Sequence, residues 1–288
     1  MTREGRLGVH DLRRMKKAGE RIVMVTAYDF AMAKAVDAAG VDVILVGDSL
    51  GVVVLGYEDT LRVTMADMIH HSAAVARARP RALVVGDMPF LSYQADVPSA
   101  IRNAGRFVQR GGVPAVKLEG GHDVLSAVEG IVRAGIPVMG HLGYTPQSIL
   151  RFGGPRVIGR SPKGAERLLA DARALEDAGV FALVLEAVPP DVSAEITAKL
   201  GVPTIGIGAG PACDGQVLVL HDLAGLFEEF TPRFVKRFGE VGAALTAATA
   251  AFAREVRAGT FPDAAHSYGR EEGARPVQSK RREETKAR

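Results

Sequence analysis

Gly40-Val41-Asp42-Val43-Ile44-Leu45-Val46-Gly47-Asp48 holds in nine residues the unit from which the chain is built. A glycine after a helix-like stretch takes the left-handed conformation that closes a last turn, and a continuous Val/Ile/Leu run reads as a strand buried on both faces of a parallel sheet. The same joint, Gly then a β-branched residue then a short apolar run, recurs at Gly112-Val113, Gly135-Ile136, Gly179-Val180 and Gly201-Val202. With IVMVTAY (22–28), ALVVGD (82–87) and QVLVL (216–220) this makes eight candidate strands separated by helical periodicity. Helix starts support the alternation: Thr64 precedes MADMIHHSAAVARA with Asp67 three residues on, and Ser161-Pro162 opens KGAERLLADARALEDA. Eight strands in roughly 200 residues, joined by right-handed crossovers, suit a closed α/β fold of the (β/α)₈ TIM-barrel kind better than two half-sized sheets. Too few residues separate the seventh and eighth candidate strands for a crossover helix.

Composition agrees with a folded core. Of 288 residues, 47% are apolar and 24% charged, close to average soluble usage, which excludes disorder, collagen and a disulfide scaffold. No linker is visible between residues 20 and 260, so 1–269 reads as a single barrel domain with an N-terminal helix and a helical finish over PRFVKRFGEVGAALTAATAAFAREVRAG. The net charge of +3 resides in residues 270–288, where seven Lys/Arg face four Glu with no aromatic residue between them. That stretch reads as a solvated, disordered basic tail, and nucleic acid is not expected as a partner. Cys213 is the lone cysteine, so an intrachain disulfide is excluded and a reducing compartment is expected. With no apolar leader and no run of 18 apolar residues, the expected location is cytoplasmic, without a membrane partner.

In a parallel barrel the chemistry sits at the carboxyl ends of the strands. Here those ends carry Asp48-Ser49, Asp87, Lys117 and Glu119, His141, and Glu186. Asp48 and Asp87 close the similar phrases LVGD and VVGD, and neighbouring strands would bring them together. Two converging carboxylates repel unless a proton or cation is shared; without Cys or clustered His the set favours Mg²⁺ or Mn²⁺. Taken singly, each Asp also reads as a helix cap. Lys117 and Glu119, two apart on a strand, share a face, either as a structural ion pair or as an anion-binding Lys beside a metal-reaching Glu. Glu186 ends the apolar run ALVLE, where partial desolvation raises proton affinity and suits a general base. His141 begins the loop GHLGYTPQS and either donates a hydrogen bond to substrate or braces that loop. Gly206-Ile207-Gly208-Ala209-Gly210 reads as a tight turn near ligand, without the spacing of a dinucleotide fingerprint or P-loop.

Together TAYDFAMAKAVDAAGVDVILVGDSLG, VVGDMPFLSY, VKLEGG, PVMGHLGYTPQS, LVLEAVP and IGIGAGPACDGQVLVLHD resemble the 3-methyl-2-oxobutanoate hydroxymethyltransferase family, in order from about residue 8 to Tyr268. The resemblance implies a barrel of the phosphoenolpyruvate mutase/isocitrate lyase type, Mg²⁺, and 5,10-methylenetetrahydrofolate as one-carbon co-substrate for a 2-oxo acid. It implies that Asp48, Asp87 and Glu119 serve the metal, that Asp48, Ser49, Asp87 and Lys117 serve the substrate, and that Glu186 is the catalytic base. It also implies a homo-oligomer, commonly a decamer, for which the late Ala-rich helix is a candidate interface by its composition. The alternative reading is a Mg²⁺-dependent lyase or carboligase of the same barrel superfamily acting on another 2-oxo acid.

Overall fold

The computed structural model describes residues 5–227, 229 and 231–269; the basic tail read from the sequence lies outside the described residues. Eight parallel strands close into a barrel in chain order: β1 (Ile22–Thr26), β2 (Val43–Val46), β3 (Leu83–Asp87), β4 (Ala115–Lys117), β5 (Val138–Gly143), β6 (Ala182–Glu186), β7 (Thr204–Ile207) and β8 (Gly215–Leu218), with β8 pairing back onto β1. The period of two sorts each strand's side chains. Val43 and Leu45 of β2 point into the barrel, where they join Met24, Leu83, Val85, Met139, Val184 and Ile205. Ile44 and Val46 point outward into the layer between sheet and helices. Leu12 and Met15 of the helix Val9–Ala18 belong to the inner cluster, so the N-terminal helix plugs the barrel interior. Each such buried Leu, Ile, Val or Met side chain contributes about 1.5–3 kcal/mol.

The helices begin where the sequence marks them. Thr64 and Asp67 form a reciprocal capping box on Met65–Arg77, and Ser161 caps Pro162–Asp177 by accepting the Gly164 N–H. Gly40, Gly112, Gly135 and Gly179 take positive φ at the helix-to-strand joints. Gly201 does not: the helix Pro190–Lys199 ends in extended Leu200, and the Gly201 and Val202 amides donate instead to the Glu176 carboxylate at 2.7 and 2.9 Å.

Two stretches depart from the sequence reading. Residues 208–214 link β7 to β8 without a helix, as the short spacing requires, and the eighth strand is Gly215–Leu218 rather than 216–220. After Thr231 the described chain stays irregular to Glu240 because Pro232 and Gly239 interrupt helical hydrogen bonding; the helix starts only at Val241. The described chain divides into two compact units, one ending at Glu240 and one beginning at Val241. The described part of the second is the helix Val241–Ala258 and the segment after it, whose Phe261 ring meets Phe252 of the helix edge-on and His266 at a tilt. Among the described residues, no helix is long and apolar enough to cross a membrane.

Candidate active site

All seven residues singled out from the sequence, Asp48, Ser49, Asp87, Lys117, Glu119, His141 and Glu186, line one cavity of about 180 Å³ at the carboxyl-terminal mouth of the barrel. Strand register explains much of the convergence. Asp87 and Lys117 are partners across β3 and β4, so their side chains emerge together, and the Lys117 ammonium donates to Asp87 Oδ1 at 2.7 Å. The Asp48 amide, two residues past the end of β2, donates to Asp87 Oδ2 at 3.1 Å. The glycine before Asp87 has a packing reason: a Cβ on Gly86 would lie 2.5 Å from the ring of Phe107, which covers the outside of β3.

Lys117 and Glu119 do share a face, with Nζ 3.8 Å from Oε1. His141 is not at the start of a loop. β5 continues to Gly143, and within it His141 stands between two carboxylates, Nδ1 3.3 Å from Glu119 and Nε2 3.3 Å from Glu186. Both contacts are charge-to-charge rather than aligned hydrogen bonds, and both ring nitrogens are buried without a hydrogen-bond partner among the described residues. Glu186, the last residue of β6, keeps 17% of its side chain exposed, whereas Asp87, Lys117 and Glu119 keep 2 to 4%. Ser49 is half-buried and its hydroxyl meets the Tyr28 hydroxyl at 2.9 Å.

The charges determine what the cavity wants. Burial raises the Asp48 pKa well above the carboxylate range, and repulsion from Asp87 and Glu119 raises it further. Asp87 is also raised by burial, although Lys117 pulls against it. Glu119 goes the other way: burial opposes ionisation, but His141, Lys117 and the Gln147 amide hold it below its ordinary value. Burial and Lys117 both disfavour protonated His141, yet the two flanking carboxylates lift its pKa to about 9. Three buried carboxylates thus share one Lys and one His, a surplus of negative charge that a divalent cation relieves. Among the described residues no three His, Cys, Asp or Glu side chains converge as a ready-made cage. Mg²⁺ uses one or two carboxylates and takes its other ligands from water and substrate. The donor set fits that ion, with Asp48 and Asp87 as the adjacent pair.

Sequence reasoning missed the residue that ties the cluster together. Gln147, in the turn Pro146–Ser148, donates from Nε2 to Asp48 Oδ2 at 2.8 Å and to the Met88 carbonyl at 2.9 Å. Its amide donates to Glu119 Oε2 at 3.0 Å, and its Oε1 accepts from the Tyr93 hydroxyl at 2.8 Å. Its one signal was its place in the phrase GHLGYTPQS. Asp222, also in the cavity wall, was missed as well; burial pushes its carboxyl up to about 6 while Arg237 pulls it down.

A closed parallel barrel with a buried, charge-coupled carboxylate cluster at its carboxyl-terminal mouth defines an enzyme of the (β/α)₈ class. Solved structures agree on the fold: a phosphonopyruvate hydrolase complexed with oxalate and Mg²⁺ (14% identity, 90% of this chain and 92% of that one, TM-score 0.59) and 2,3-dimethylmalate lyase, a PEP mutase/isocitrate lyase superfamily member (19% identity, 89% and 87%, TM-score 0.57). The family model for ketopantoate hydroxymethyltransferase matches residues 6–264. The 3-methyl-2-oxobutanoate hydroxymethyltransferases of Moorella thermoacetica and Geobacter metallireducens are 59% and 54% identical, over 93% and 90% of this chain and 100% and 97% of theirs. The chain belongs to the ketopantoate hydroxymethyltransferase family and is an enzyme.

Proposed function

We propose that this enzyme transfers a hydroxymethyl group to C3 of 3-methyl-2-oxobutanoate, giving ketopantoate for pantothenate synthesis in the cytoplasm, with 5,10-methylenetetrahydrofolate as donor and Mg²⁺ as the metal. The observation that carries the reading is the division of one cavity into a buried cationic and carboxylate wall (Asp48, Asp87, Lys117, Glu119) and a partly exposed carboxylate, Glu186, linked across His141. Asp48 and Asp87 would hold Mg²⁺, with Glu119 reaching it directly or through water; when bound, the ion supplies Lewis-acid polarisation of the 2-oxo carbonyl.

The chain's own groups do the rest. Lys117, fixed by Asp87, faces the substrate carboxylate, and the Ser49 hydroxyl orients it. Glu186 takes the proton from C3. His141, held cationic between Glu119 and Glu186, keeps the Glu186 carboxylate aimed and steadies its charge before the proton arrives. The C3 carbon then bonds to the donor's methylene carbon, both of that carbon's bonds to folate nitrogens break, and one water supplies the hydroxyl. The C3 proton and the two water protons end on the new hydroxyl and the two folate nitrogens, so atoms balance.

Glu186→Gln keeps the shape of the site but removes the base, and turnover should fall about 10² to 10⁴-fold, with keto-acid binding retained. Proton NMR of the purified enzyme with 3-methyl-2-oxobutanoate, 5,10-methylenetetrahydrofolate and Mg²⁺ should show a new hydroxymethyl signal that chelator abolishes. Turnover of Glu186→Gln at the parent rate would remove Glu186 from this role.

A further inference from the structure

The cavity lined by the carboxylates has a volume of about 180 Å³, below the roughly 300–1,000 Å³ typical of sites that enclose drug-sized ligands. It has room for a five-carbon keto acid and not for a second, larger reactant. A cavity of about 890 Å³ lies against it, and Phe234 lines both. The larger cavity's wall begins one residue beyond Glu186 and runs through Ala187, Val188, Pro189 and Pro190. Ala187 sits in the left-handed region at φ +49°, with its N–H donating to the Ile207 carbonyl at 2.9 Å and its carbonyl accepting from Ile158 at 3.0 Å. This strained turn carries the chain directly from the carboxylate into the apolar wall.

The lining has a definite chemistry. Its apolar surface is bordered by Arg160 and Arg233, both exposed and both without an ion pair among the described residues, with Asp191 as the carboxylate on the same wall. Phe234 rests on Gly208, where an added Cβ would meet the ring at 2.7 Å, and keeps 37% of its surface exposed. A flat aromatic surface beside two unpaired guanidinium groups fits a ligand with planar rings at one end and carboxylates at the other.

We infer that this second cavity seats the one-carbon donor, a reduced pterin with an aminobenzoyl-glutamate tail, with Phe234 against its rings, Arg160 and Arg233 on its tail carboxylates, and its methylene carbon delivered past Phe234 to the Glu186 side of the smaller cavity. The inference rests on the reading above that the donor is a folate. The test uses the full-length enzyme, the double variant Arg160→Ala/Arg233→Ala, and Val157→Trp, which narrows the cavity from its exposed edge without touching an arginine. Both should raise the KM for 5,10-methylenetetrahydrofolate and weaken calorimetric tetrahydrofolate binding by about tenfold or more. The KM for 3-methyl-2-oxobutanoate should move less than about twofold, and folate-free exchange of its C3 hydrogen in D₂O, which also reports correct folding, should persist. Unchanged donor KM and tetrahydrofolate affinity in both variants would overturn this site while leaving the reaction intact. A parent enzyme that exchanges C3 hydrogen but neither binds tetrahydrofolate nor forms product with the methylene donor would overturn the folate reading itself.

Discussion

Gln147→Leu isolates the clamp on the carboxylate cluster. Leucine is close in volume, so the loss is one of hydrogen bonds rather than packing. Asp48 Oδ2 and the Met88 carbonyl, both in buried residues, lose their donor. Tyr93 keeps its exchange with the Glu119 backbone, and exposed Gln94 turns to water. Two buried acceptors left unsatisfied at about 1–3 kcal/mol each give about 4 kcal/mol in the middle of the range. At about 2–4 °C per kcal/mol for a chain of this size, the melting temperature should fall by about 12 °C. Gln147→Glu is the sharper control, because it keeps an acceptor for Tyr93 but sets a fourth carboxylate against Asp48 and should be at least as unstable. The assay is urea and thermal denaturation of both variants beside the parent, with and without Mg²⁺; added Mg²⁺ should recover part of the loss by neutralising Asp48. A Gln147→Leu enzyme melting within about 2 °C of the parent would refute the clamp.

The Asp222 carboxyl has a folded-state pKa of about 6, above its ordinary value, so stability is lost as pH rises from about 4 through 6. The full shift is worth nearly 3 kcal/mol, and half-exposure reduces it to about 1, so Asp222→Asn should stabilise the protein by about 1 kcal/mol at pH 7.5 and by nothing at pH 4 in parallel urea titrations. Gly143→Ala places a methyl group 2.0 Å from the Glu186 carbonyl oxygen at φ +94°; backbone strain alone costs about 1–3 kcal/mol, and displacement of Glu186 should lower kcat as well. A variant as stable and active as the parent would show that the β5 to β6 joint is compliant. Asp48→Ala and Asp87→Ala should each raise the Mg²⁺ concentration for half-maximal activity by about tenfold or more, given that even outer partners of a metal are worth 10–100-fold in affinity; unchanged metal dependence in both would return them to capping roles.

The barrel was legible because its determinants are local: a glycine that closes a helix, an apolar run, and an ionisable residue at the strand's end. The same locality brought Asp48, Asp87, Lys117, Glu119 and Glu186 into view, since in this fold the end of a strand is a place in space. Gln147 was not legible, because its importance lies in partners 28, 59 and 99 residues away in the chain and not in its own neighbours. The end of β5 was placed two residues early, at His141, because Gly140 and Gly143 look like loop punctuation, whereas Gly140 leaves room for Leu183 of β6 and Leu175 of the helix before it, and Gly143 for the Glu186 carbonyl. Gly201 followed the pattern of its four counterparts, but the Glu176 carboxylate supplies the satisfaction that a left-handed cap would have given.

The helix-free link between β7 and β8 bears on how the barrel comes apart. Those strands meet only at Ile205 with Gly215 and at Gly206 with Gln216, while β5 and β6 pair continuously from Met139 to Gly143. β4 and β5 pair as briefly, yet the helix Leu125–Arg133 connects them. A hoop held by eight staves fails at the stave with the least binding and no sheath. Amide hydrogens of residues 204–218 should therefore exchange by sub-global opening at lower free energy than those of β2, β3 and β6. Because that seam borders the large cavity beside Glu186, whatever fills the cavity also closes the hoop.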